Sequence, residues 1–220
     1  MLFRSPTNDE HHPYSFVCQL NLSEHVSYSL SCLPHDGMIY IFHNHDAEFS
    51  GEYPVRDNIR VFYLSDANVE LARISYPATL EKRFRYKPAK VCCQPEPTLP
   101  PLESNTLKEI GIDYENAEMA ANYIAFLNKF SIEMQGLHDV RHRLLGHPDQ
   151  LQDNLEERAV RYSSRLSTKS PLDKWRLLLQ IDSDTATGMM WGDAGRMYLM
   201  IRENDLEKGN FENVAGFIQC

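Results

Sequence analysis

The sequence predicts an α+β protein made of two similar antiparallel β units, an internal duplication, with a central helical insert between them. Three observations lead to that class. Short runs rich in β-branched and aromatic residues occur three times near the start of the chain and three times near its end. Helix-period patterns are confined to the region between the two series. Prolines 88, 95, 97, 100 and 101 separate the first series from those patterns.

Residues 1–14 read as a polar head without the apolar stretch of a signal peptide. The first β unit takes residues 15–87, with strands expected at 16–22, 37–42 and 58–64. The turn Pro34-His35-Asp36-Gly37 opens the second of these. Residues 71–76 are a candidate for a further strand. The linker, 88–104, must be extended, because each proline removes an amide donor and restrains its neighbour. The helical insert spans 105–170. In it Thr106 and Glu109 fit a capping box, the hydroxyl and carboxylate each meeting a free backbone donor. Residues 115–130 place Met119, Tyr123, Ile124, Leu127 and Phe130 on one helical stripe. Residues 153–166 do the same with Leu155, Ala159, Tyr162 and Leu166, ahead of Pro171. The second β unit takes 175–220, with strands expected at 177–183, 195–200 and 213–219. Gln19 then lies over Gln180, Tyr40 over Tyr198 and Phe62 over Phe217, so the spacing shortens from 161 to 158 to 155 residues. Two equally shortened loops explain that series.

The bulk numbers bound the function. A chain of 220 residues with 42% apolar and 24% charged residues is an ordinary globular composition. No run reaches the roughly 18 apolar residues of a membrane span. The net charge of −9 argues against nonspecific nucleic-acid binding, which needs basic residues to displace counterions. It suits solubility, or steering of a basic partner. Five cysteines, with Cys92 and Cys93 adjacent, make a poor disulfide framework and point to a reducing, cytoplasmic setting.

Residues 142–152 (HRLLGHPDQLQ) resemble the H-x-L-L-G-Y-P-x-x-I-Q motif of the YwqG-like family, bacterial proteins of unassigned function. Residues 177–184 (LLLQIDSD), 188–198 (GMMWGDAGRMY) and 213–220 are similar to that family's C-terminal segments. Residues 18–22 (CQLNL) and 33–42 (LPHDGMIYIF) resemble its N-terminal A-Q-I-N and L-P-x-x-G-x-L-x-F-F segments. The resemblance implies a single domain over 15–220, an α+β fold with a β duplication, and no established reaction. The family's Gly-Gly-x-Pro segment before the first strand has no match here, so a site relying on it is missing or reshaped.

Candidate chemistry centres on the second β unit. Asp182, Asp184 and Asp193, beside Trp191, offer carboxylates that can hold a divalent cation through oxygen. The competing reading has the same aspartates bonding turns next to glycines, and it is favoured. No other cofactor is expected. His138 and His142 stand four apart, a zinc-site spacing on a helix, with Glu133 and His147 in reach. Arg141 and Arg143 would repel a cation there, and cationic side chains at a helix end explain the cluster equally well. Neither a Gly-x-Ser-x-Gly elbow nor a phosphate-binding glycine loop occurs.

The leading functional expectation is therefore a non-enzymatic protein-binding module, such as an immunity protein neutralising a basic toxin. Trp191, Asp193, Arg196 and His142 are its candidate binding residues. The loops at 43–46 (HNHD) and 49–53, read as exposed, are candidate contacts as well. The alternative is a metal-assisted hydrolase or transferase using the three aspartates, with His142 as acid or base. Neither nucleic acid nor membrane is expected as a partner.

Overall fold

A computed structural model of the chain describes residues 5–24, 32–48, 58–66, 74–134, 140–165 and 174–220. The fold is α+β, with two antiparallel sheets and a few helices. The chain divides into two compact units, each discontinuous in sequence: 1–95 with 184–189 and 201–216, and 96–183 with 190–200 and 217–220. The first boundary, between Pro95 and Glu96, falls inside the proline-rich segment, which has no regular structure from Arg85 to Pro101.

In the first sheet β1 (Ser15–Asn21), β2 (Met38–His43) and β3 (Ile59–Leu64) lie in the order β1-β2-β3. A bulge between Phe16 and Cys18 shifts the register, leaving Val17 as the extra residue. Every residue of the central strand β2 is buried. On one face Met38, Tyr40 and Phe42 join Tyr14, with Phe16 and Phe62 meeting Phe42 edge-on at 5.5 and 5.8 Å. The other face carries Ile39, Ile41 and His43, in strict alternation. A short helix, α1 (His45–Glu48), follows β2 directly.

The second sheet has the order β4-β5-β6-β7, from β4 (Arg143–Leu144), β5 (Trp175–Asp182), β6 (Arg196–Arg202) and β7 (Ala215–Gln219). The six expected strands are thus present, each within two residues of its expected ends, and β4 is an addition. Of the expected strand at 71–76, residues 71–73 lie outside the described segments and 74–76 are irregular.

The two β meanders share a few local contacts. Leu22 donates its amide to the Gly37 carbonyl at 3.0 Å, and Ser183, its counterpart by spacing, donates to Gly195 at 3.1 Å. A Cβ on Gly37 would strike the Leu64 carbonyl, and one on Gly195 would strike the matching carbonyl of Gln219. After β6, as after β2, the chain enters a short helix at once, α5 (Glu203–Glu207).

Among the helices, α2 (Asn105–Glu109) is one turn long, and Ser104 caps it, accepting from the Leu107 amide. The expected cap at Thr106 is displaced by that upstream hydroxyl, and Glu109 pairs with Lys174 instead. The long helix α3 (Ala117–Met134) is capped by Asn116, which accepts from the amides of Glu118 and Met119. Its expected core stripe is only half realised. From Ala117 to Phe130 the sole buried side chain is Tyr123, while Met119 and Ile124 are exposed. Helix α4 (Leu155–Arg165) starts at the Asn154 cap and buries Leu155 and Ala159. Leu166 and Pro171 lie outside the described residues.

Candidate functional site

Residues 141–153 run as a loop around β4, and polar side chains from three strands hold its backbone. Two consecutive left-handed residues, Leu145 (φ 60°) and Gly146 (φ 73°), turn the chain, and a Cβ on Gly146 would collide with Thr98. The Thr98 hydroxyl accepts from the His147 amide at 3.0 Å. From β5, buried Gln180 accepts from the Asp149 amide at 2.8 Å and donates to the Arg141 carbonyl at 2.9 Å. From β7, buried Gln219 accepts from the amides of Leu151 and Gln152 and donates to the Asp153 carbonyl. From β6, Tyr198 Oη and Arg196 Nη1 both donate to the Asp149 carbonyl, at 2.7 and 2.9 Å. Burial pushes the Tyr198 hydroxyl up to about 12, so it stays a donor.

The carboxylate of Asp182 sits inside this network. One oxygen accepts from Arg196 Nε at 3.1 Å and the other from the Arg141 amide at 3.0 Å. Its own amide donates to His142 Nδ1 at 3.2 Å, so the neutral ring carries its proton on Nε2. Arg143 reaches the His147 carbonyl at 2.7 Å and Asp149 at 2.9 Å. Burial lowers the His147 pKa, and the guanidinium groups of Arg176 and Arg143 lower it further.

The sequence-predicted residues divide by use. Asp184 accepts from the Ala186 amide at 2.8 Å, an Asx-type turn bond. Asp193 is exposed in the turn between Gly192 and Ala194, both in left-handed conformation. Asp182 is ion-paired, as above. Among the described residues no group of three His, Cys, Asp or Glu side chains is arranged to hold a metal ion. Trp191 is fully buried, with its amide on the Ser183 hydroxyl, so its ring is not a contact surface. Arg196 is half-buried and committed to Asp182 and Asp149, and His142 is exposed. His142 lies on irregular chain before β4, not on a helix, and His138 is outside the described residues.

A second polar cluster, in the other unit, overturns the expectation of an exposed loop at 43–46. His43, Asn44 and His45 are all buried, and only Asp46 is exposed. The phase of β2 is the reason: His43 alternates with Ile39 and Ile41 onto a covered face. That signal was legible in the sequence. The His43 and His45 rings meet edge-on at 4.4 Å, and Phe84 stacks on His45 at 3.5 Å. His45 Nε2 lies 2.9 Å from Ser15 Oγ and 3.2 Å from Tyr86 Oη. Burial lowers His45 to about 4, with Asp46 opposing and Arg83 reinforcing the shift, and it lowers His43 well below its ordinary value. A serine beside a histidine is the geometry of an activated hydroxyl. Ser15 is wholly buried, and Tyr86 shares the same nitrogen. The other expected exposed loop, at 49–53, lies outside the described residues.

No described helix is long and apolar enough to cross a membrane. No curated protein matches the chain. A family model matches residues 3–220, nearly the whole sequence, and on that match the chain belongs to the family described as Domain of unknown function (DUF1963).

Proposed function

We propose that this protein is a non-enzymatic protein-binding module of the cytosol whose partner is a basic protein, in the concrete form of an immunity protein that neutralises a toxin. The observation that carries the reading is the use to which the polar side chains around residues 141–153 are put. Gln180, Gln219, Arg196, Tyr198 and Asp182 turn their hydrogen-bonding groups onto backbone or onto each other, which holds a loop and leaves those groups closed to a reacting molecule. The charge of −9 favours a basic partner, because opposite fields raise the association rate and disfavour wrong partners.

Affinity capture with the full chain, from the cells that make it, tests the reading at low and at physiological salt. The expected result is one basic protein, enriched more strongly at low salt. Capture of nothing at either salt, or of an acidic protein insensitive to salt, contradicts it.

A further inference from the structure

The net charge of −9 conceals one stretch of opposite sign. Residues 82–95 (KRFRYKPAKVCCQP) hold five cations and no acid, in a chain where acids outnumber cations by nine. The whole stretch lies in the first compact unit. Its two arginines are committed to the fold. Arg83 pairs with Glu81 at 2.9 Å and lies over the Phe84 ring. Arg85 donates to the carbonyls of Pro77, Ala78 and Leu80. Lys82, Lys87 and Lys90 are exposed and pair with no carboxylate among the described residues. Of the other acids in this unit, Asp46 is held by His12 at 2.7 Å, and Glu24 lies near Cys93, past the lysines.

Buried anchors fix the chain that carries these lysines. Tyr86 has its hydroxyl at His45, and its carbonyl accepts from Tyr76 Oη at 2.8 Å. The Lys87 amide donates to the Thr187 carbonyl at 2.8 Å. Pro88 then keeps the chain extended. The amides of Ala89, Lys90, Val91 and Cys92 donate no hydrogen bond among the described residues. An extended chain with bare amides accepts a partner strand through its main chain. Lys87 and Lys90, three residues apart, stand about 9–10 Å from each other in such a chain, so carboxylates at the same spacing meet both.

The same contacts choose among anionic partners. Stacking of nucleic-acid bases needs an open aromatic face, but Phe84 lies between His45 and Arg83, and Tyr86 is buried. Bidentate phosphate contacts need free guanidinium groups, and both are taken. A nucleic acid or an anionic bilayer also extends past the lysines into the field of the remaining acids. A short acidic segment acts within one screening length, about 8 Å at physiological salt.

We infer that residues 87–92, together with Lys82, bind an acidic, extended segment of a partner protein, by strand addition with lysine–carboxylate pairs. This surface adds to the basic partner proposed above and does not rest on it. The test is fluorescence anisotropy on the full chain with a labelled peptide alternating glutamate with threonine. A lysine–threonine peptide, an N-methylated copy of the glutamate peptide, a single-stranded oligonucleotide and phosphatidylserine vesicles are the comparison probes. One variant combines Lys82→Gln, Lys87→Gln and Lys90→Gln. The other combines Lys108→Gln, Lys129→Gln and Lys208→Gln, removing the same charge at exposed positions elsewhere. The glutamate peptide is expected to bind wild type, more weakly as salt rises. Its affinity should fall at least about tenfold in the first variant and less than about threefold in the second. The lysine and N-methylated peptides should not bind, and both variants should keep the wild-type melting curve. No binding to wild type, equal losses in the two variants, or undiminished binding of the N-methylated peptide overturns the assignment. So does tighter binding of the oligonucleotide or the vesicles that depends on the same three lysines.

Discussion

Gln180 and Gln219 act as surrogate peptide groups, each presenting one acceptor and one donor to loop backbone that has no strand partner there. Removing such a side chain leaves buried amides and carbonyls bare, which costs more than the lost bonds were worth. Gln180→Leu is therefore expected to lower unfolding free energy by about 2–4 kcal/mol. Urea titration checks this, and a change within about 0.5 kcal/mol would be that of an exposed site. The histidine pair gives a pH dependence of definite sign. His43 and His45 are held below their ordinary value in the fold, so below pH 6.5 the unfolded chain binds more protons than the folded one. Stability present above that pH is lost as pH falls toward about 4, where His45 charges in the folded state. His45 alone accounts for about 3 kcal/mol over that window. Urea midpoints in His43→Leu should fall less steeply with acid than in wild type; equal slopes would mean that His43 is not held neutral by burial. The alternation of residues 38–43 announced that His43 turns inward. The pairing of Asp182 with Arg196 was not legible, because it joins residues on different strands.

Elements were legible where period and punctuation agreed. The three-residue steps in spacing between the β meanders match the equivalent glycine contacts and the equivalent amide bonds to Gly37 and Gly195. Helix caps were harder, since several neighbouring residues can serve and the chain uses the one whose backbone is already extended. Ser104, at ψ 147°, is such a residue. Ser104→Ala is expected to cost about 1 kcal/mol, and Thr106→Ala less, by thermal unfolding; the reverse order would restore the cap to Thr106. The amphipathic period of α3 identified the helix and the apolar residues but could not say how much of that side would find a partner inside the chain. Tyr123→Ala should destabilise the fold by about 2–4 kcal/mol, whereas Phe126→Asp should leave it within about 0.5 kcal/mol. Chemical denaturation of the two variants side by side reads the difference. Equal losses would mean that Phe126 is packed rather than presented.

At the scale of the whole molecule, charge and class were both legible, because net charge is a sum over the chain and the fold class follows from the order of the elements. The division into two discontinuous units was not, since the boundaries cut β6 after Met200 and β7 after Gly216, inside runs of uniform composition. In the proposed reading, a chain carrying −9 recruits a basic protein through its field. Surface fields are screened over about 10 Å at 0.1 M salt, so recruitment by charge acts on association and hardly on dissociation. The most direct measurement is the association rate constant with the captured partner by stopped flow, from about 0.02 to about 0.3 M salt. The account predicts a fall of about tenfold or more in the association rate with a nearly constant dissociation rate. An association rate that does not change with salt would contradict it.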